Sequence, residues 1–153
     1  MPISFKWFGR SKAVAPVEWL FVGLGNPGKK YAQTRHNAGF HVVNRFVQSE
    51  NLSFDEHRSD GLLARGIVAD VPIGILKPLT YMNLSGKSVA PVARFYKVPI
   101  DKIVVILSPT AHVLQEFSKA EWELMTHTYD KAQQTILAII QHGIEYAMNN
   151  FNC

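Results

Sequence analysis

The chain has 153 residues, 47% of them hydrophobic and 18% charged, which is enough for one sizeable core and unlike a disordered or fibrous polymer. Its formal net charge of +4 favours polyanionic partners, nucleic acid among them, without naming one. The single cysteine, Cys153, excludes an internal disulfide and fits a reducing compartment, and runs such as "IVVIL" and "ILAII" are far too short to cross a bilayer, so no membrane association is expected.

Residues 1–17 carry Lys6, Arg10 and Lys12 and no acid, a bias shared with organelle transit peptides, but serine and arginine are sparse and an apolar centre is lacking. A flexible basic extension is the expectation, followed by one domain over 18–153. "WLFVGLG" reads as a buried strand closed by glycine and proline. "AGFHVVNRFVQSE" places Phe40, Val43 and Val47 on one helical face with Val42 and Phe46 beside it, and Asn37 stands at its cap position. "LLARGIVA" and "VPIGILKP" predict two strands joined by a tight return. "NLSGKSVAPVARFYK" is helical through Val89, Val92, Ala93 and Tyr96, with Pro91 expected to kink or delay it. "KIVVIL" predicts a strand buried on both faces. Ser118 and Glu121 form a capping box for "SKAEWELM", and a last helix near "YDKAQQTILAIIQHGIEYAMN" presents Ala132, Ile136, Ile139, Ile140 and Ala147 to a core. Alternating strands and helices predict an α/β three-layer sandwich with a mixed β-sheet.

"GLGNPGKKYAQTRHN" contains Gly23, Gly25 and Gly28 at the G-x-G-x-x-G spacing of dinucleotide-binding loops. Such loops open directly into a helix and are followed by a strand ending in an acid. Here nine mostly polar residues come first and no such strand follows, so the glycines are read as turn formers at the C-terminal rim of the sheet. The loop brings Asn26, Tyr31, Arg35, His36 and Asn37 to that rim, residue types that suit hydrolysis: an imidazole to activate water and an amide to hold a carbonyl. The same residues can equally shape a turn, cap a helix and meet solvent.

"FVGLGNPGKKYAQTRHNAGF" together with "KPLTYMNLSGKSV" closely resembles the bacterial-type peptidyl-tRNA hydrolases, over about Trp19 to Ile106, and the tail "VLQEFSKAEWELM...GIEYAMNNF" is similar to the family's C-terminal end. The resemblance implies that fold and an enzyme cleaving the ester between a peptide and the terminal ribose of tRNA, without metal or cofactor, as a monomer. It implies His36 as general base, Asn26 as the amide contacting the peptide, Asn83 as a second peptide-binding amide, and Tyr31 and Tyr81 lining the tRNA end. Lys29, Lys30, Arg35 and Lys87 are candidate phosphate contacts. The cytoplasm is the expected location, with plastid or mitochondrion as the alternative.

The resemblance breaks after "KIVVI". The family continues with an acidic loop whose aspartate orients the catalytic histidine, then strands, a Gly-Gly-His-Asn-Gly segment supplying another amide, and a strand ending near Gly-Arg-Pro. Here "VVI" runs straight into "LSPTAHVLQEF", a deletion junction near 107–112, and Glu116 does not stand in for the missing aspartate. The expectations are an impaired hydrolase and an open sheet edge through which copies of the chain can associate, with Pro109 discouraging further strand pairing. The alternative is a noncatalytic RNA-binding protein, since some plastid relatives act in intron splicing. The remaining candidates carry little chemistry. "DEHRSD" lacks metal-ligand spacing and is expected to be an exposed loop; His41, His127 and His142 are expected at surface or boundary positions; His112 is assigned no role; and no nucleophile elbow appears.

Overall fold

The computed structural model describes residues 15–108 and 116–151, so the expectations for residues 1–14, Pro109, His112 and Cys153 lie outside the described residues. Strand β1 (Trp19–Gly23) is buried throughout and occupies an interior position of the sheet. It pairs in parallel with β4 (Val71–Pro78) on one side and β5 (Ile103–Ile106) on the other. Strand β4 pairs antiparallel with β3 (Gly61–Val68), and β3 with the short β2 (Glu56–Arg58), giving the order β2-β3-β4-β1-β5.

The pleat sends alternate side chains to opposite faces, and each face has its own helical cover. Trp19, Phe21, Ala64, Ile73 and Ile75 meet helix α1 (Ala38–Ser49) and helix α3 (Lys119–His142), with Ala147 of α4 (Ile144–Phe151) completing the cluster. Leu20, Val22, Leu63 and Leu76 meet Val92, Ala93 and Tyr96, contributed by α2 (Gly86–Phe95) and the residue after it. The predicted three-layer α/β sandwich with a mixed sheet is therefore the observed architecture. Val17, assigned from sequence to the extension, is buried in the α2-side cluster.

Several elements differ from expectation. "DEHRSD" is no plain loop: Glu56–Arg58 pairs with β3 through a two-residue return at Ser59 and Asp60, both at positive φ (50° and 55°), as are Ala69 and Asp70 between β3 and β4 (49° and 64°). Reversed-sign turns of this kind match the natural strand twist, even where no glycine announces them. The two predicted C-terminal helices are one 24-residue helix, α3, because nothing between its Ser118 cap and His142 interrupts propagation; Gly143, at φ 89°, then separates it from α4. Helix α2 starts only at Gly86, after a 3-10 turn over Met82–Leu84, and runs through Pro91.

Strand β5 corrects the expectation of burial on both faces. It lies at the sheet edge, its residues are only partly covered, and Val105 is 47% and Leu107 51% exposed. An apolar run predicts burial only if the chain supplies a neighbour and a cover.

Candidate functional site

The C-terminal rim of the parallel strands is where α/β sheets leave their crevice, and the loop leaving β1 crosses it. A close approach fixes that loop. A Cβ on Gly23 would lie 2.5 Å from the Gly39 carbonyl oxygen, and one on Gly39 would lie 2.3 Å from the Ile106 carbonyl oxygen, so α1 begins directly against the ends of β1 and β5. Gly23 and Gly25 are thus required for proximity, whereas Gly28 alone of the three adopts positive φ (105°), which corrects their shared reading as turn formers.

Asn37 departs from its expected role as well. Its side chain makes no capping bond. Instead Oδ1 accepts the Asn26 backbone N–H at 2.8 Å, and Nδ2 donates to the Asn26 carbonyl at 3.1 Å, so one buried amide satisfies both backbone groups of Asn26. The Asn26 side chain is oriented in turn, because its Oδ1 accepts the Met82 backbone N–H at 2.8 Å. This leaves Nδ2 as the amide's donor toward a ligand.

Asn26, His36, Tyr81, Met82 and Asn83 line one cleft of about 430 Å³. His36 and Asn37 belong to a 3-10 turn, Arg35–Asn37, that leads into α1, while Tyr81, Met82 and Asn83 come from the turn after β4. Tyr81 is 57% exposed and Asn83 is also open to solvent. The structure therefore brings together four of the five residues singled out as catalytic or tRNA-binding. Tyr31 sits on the same loop but is not among the cleft-lining residues; Lys30 Nζ lies 4.9 Å from its ring centroid. Lys29, Lys30 and Lys87 are exposed, whereas Arg35 pairs with Glu121 at the start of α3 and lies 5.6 Å from the Phe117 ring.

His36 Nδ1 is buried and has no hydrogen-bond partner. The chain returns beside this loop at Glu116, which bridges to Thr34 through the backbone, yet no carboxylate among the described residues reaches His36. Sequence reasoning missed two members of the assembly, the Asn37 clamp and the Met82 amide. The first was hidden by the cap position it occupies; the second is a backbone group, which a pattern of side chains cannot signal.

On the α1 side of Asn26, His41 is held at both nitrogens, Nε2 against the Ala32 carbonyl at 2.8 Å and Nδ1 against the Tyr129 hydroxyl at 3.0 Å. Burial lowers its pKa, outweighing the bond to Ala32, and the charges of Arg45 and Lys77 lower it further. Burial pushes the Tyr129 phenol up to about 12. This is a boundary position, as expected of His41.

Comparison with known proteins agrees with the fold. The chain is 52% identical over 87 residues to a chloroplastic CRS2-like protein of Oryza sativa subsp. japonica, covering 57% of this chain and 47% of that protein. It is 46% identical over 88 residues to the chloroplastic peptidyl-tRNA hydrolase of Arabidopsis thaliana, covering 58% and 31%. The chain thus spans half or less of the length of these two plant relatives. With the peptidyl-tRNA hydrolase of Clostridium novyi (strain NT) it shares 30% identity over 183 residues, 88% of this chain and 97% of that one. That alignment is longer than the 153-residue chain itself, so the bacterial protein carries positions with no counterpart here. The crystal structure of peptidyl-tRNA hydrolase from Acinetobacter baumannii superimposes with a TM-score of 0.80 at 27% identity, covering 89% of this chain and 95% of that one. The family model described as peptidyl-tRNA hydrolase matches residues 20–109, ending within the stretch where the sequence resemblance breaks, and with that match the chain belongs to the peptidyl-tRNA hydrolase family.

Proposed function

We propose that this chain receives the acylated end of a tRNA in the His36 cleft and cleaves the ester between peptide and terminal ribose, slowly for its family. The observation that supports it most is the gathering of His36, Asn26, Tyr81 and Asn83 around one open cleft. With Nδ1 buried, Nε2 is the ring nitrogen able to meet water, and it takes the proton as the water oxygen attacks the ester carbonyl. The Asn26 amide, turned by Met82 so that Nδ2 donates, stabilises the charge gathering on the carbonyl oxygen, and the exposed Tyr81 ring offers a stacking surface to the terminal adenine. Lys29, Lys30 and Lys87 are exposed cations available to the phosphates of the tRNA. Collapse of the ester releases the ribose hydroxyl, which recovers the proton from His36.

The cost lies in the orphan Nδ1. Without an acceptor there, nothing selects the tautomer that leaves Nε2 basic or stabilises the imidazolium. In serine proteases, loss of the equivalent aspartate charge lowers turnover by about 10⁴-fold. The same orphan nitrogen, with the likeness to the rice CRS2-like protein, supports a second reading, a noncatalytic RNA-binding relative working in a plastid.

Hydrolysis of a blocked aminoacyl-tRNA by the purified chain, beside His36→Ala, separates the readings. The enzymatic reading expects weak turnover that His36→Ala abolishes and that millimolar formate raises, by supplying the missing acceptor. Equal rates with both proteins, together with retained tRNA binding, would leave the RNA-binding reading.

A further inference from the structure

Asn26 is shared by two cavities. Besides the His36 cleft, it borders a second of about 360 Å³ on the α1 side, whose wall includes Phe40, His41, Asn44, Leu62 and Lys77. Lys77 is half-buried at that wall without a counter-ion. The ion pairs among the described residues engage Arg35, Arg45, Arg65 and Lys102, and none engages Lys77. Its Nζ donates to Asn44 Oδ1 at 2.9 Å and lies 5.3 Å and 5.0 Å from the ring centroids of Phe40 and Phe54. Ring faces and one amide oxygen attract the ammonium but leave its charge in place and two of its three N–H bonds available. Burial holds its pKa below the ordinary amine value, the mark of a cation short of compensation.

A carboxylate supplies that compensation, and the surroundings select how it is carried. Burial lowers the His41 pKa against its bond to Ala32, and Lys77 is the one lysine, arginine or carboxylate side chain among the residues lining this wall. The remaining wall is largely apolar, through Phe40, Leu62 and Leu79. A hydrated phosphodiester fits poorly beside a single cation and hydrocarbon; a carboxylate on a short apolar stem fits both. We propose that this cavity is a subsite for an acidic side chain of the peptide portion of the ligand, read by Lys77, with Asn26 as the wall between this subsite and the cleft. The assignment rests on the reading that the cleft receives an acylated tRNA end.

The test uses binding rather than turnover. Acetyl-Ala-Glu-Ala-amide and its Gln counterpart are titrated into the whole chain while the Lys77 ε-methylene and the Asn26 and His36 signals are followed by NMR. The expected result is roughly tenfold tighter binding of the Glu peptide, with a shift at Lys77. That preference disappears in Lys77→Met, which keeps the apolar stem and whose fold is checked from its amide spectrum. Equal affinity of the two peptides, with Asn26 and His36 still responding, overturns the subsite and spares the cleft reading. Absence of any response overturns both. A Lys77 response to the trinucleotide CCA or to inorganic phosphate, and none to the Glu peptide, assigns the cavity to the RNA and overturns the proposal.

Discussion

One edge of the sheet is β2, whose side chains Glu56, His57 and Arg58 are all polar or charged; the other is β5, Ile103–Ile106, which carries no polar side chain at all. The β2 edge is finished: Glu56 binds Arg65 of β3 at 2.6 Å and the Tyr96 hydroxyl at 3.2 Å, while Arg58 stacks over Phe95 at 4.0 Å. Charged side chains on an edge discourage pairing with another sheet, and β5 lacks that protection. Its composition is that of an interior strand such as β1, which is buried at every position. The difference teaches that β5 carries the sequence of a strand with neighbours on both sides, whereas among the described residues it has one, β1. The match to the family model ends three residues beyond β5, and the bacterial relative has additional positions in its alignment.

The strongest challenge to this contrast is Gly39→Ala. Its Cβ would stand 2.3 Å and 2.5 Å from backbone atoms of Ile106 and Leu24, where α1 holds β5 against β1, and backbone yields poorly. A loss of about 3 kcal/mol in urea unfolding is expected. A loss under about 1 kcal/mol would mean that β5 is only loosely part of the fold. Ser118→Ala comes next. It removes the side-chain acceptor for the Glu121 N–H at the start of α3, and the expected cost is about 1 kcal/mol.

The link between α1 and α3 through His41 and Tyr129 predicts a smaller, pH-dependent effect. His41 has a folded pKa below its ordinary 6.5, so its contribution is whole above that pH. As pH falls through and below 6.5 the unfolded chain takes up a proton that the fold resists, and stability declines. His41→Gln is expected to flatten that part of the stability profile, measured by urea midpoints between pH 7 and 5. Val105→Lys has the smallest expected effect on stability, within about 0.5 kcal/mol, because the position is already 47% exposed. Its value lies in sedimentation velocity. Association of the parent chain through β5 disappears in this variant if the edge is what joins copies, and unchanged association places the contact elsewhere.

Much of the fold was legible because its signals are local. The runs "WLFVG" and "VPIGILKP", the apolar face of α1 and the Ser118–Glu121 box each occupy the positions their patterns predicted. Strand β2 was not legible, since "EHR" has no apolar alternation and is held by its partner across a return lacking glycine. The exposure of β5 was hidden for the opposite reason: its residues describe an environment that depends on a strand elsewhere in the chain. At the site, His36, Asn26, Tyr81 and Asn83 were readable as a motif and do line one cleft. What holds them, Asn37 on the Asn26 backbone and the Met82 amide on the Asn26 side chain, consists of contacts 11 and 56 residues apart in sequence.

The Asn37 clamp also separates two properties that loops usually combine. Asn26 takes its position from Asn37 at the entry to α1, so the segment 27–34 spans two points already tied together, with ties of its own from Ala32 to His41 and from Thr34 to Glu116. Lengthening or recomposing it would alter what surrounds the mouth of the cleft while leaving the amide where it stands. In this architecture, diversity of approach and constancy of the Asn26 amide are assigned to different residues.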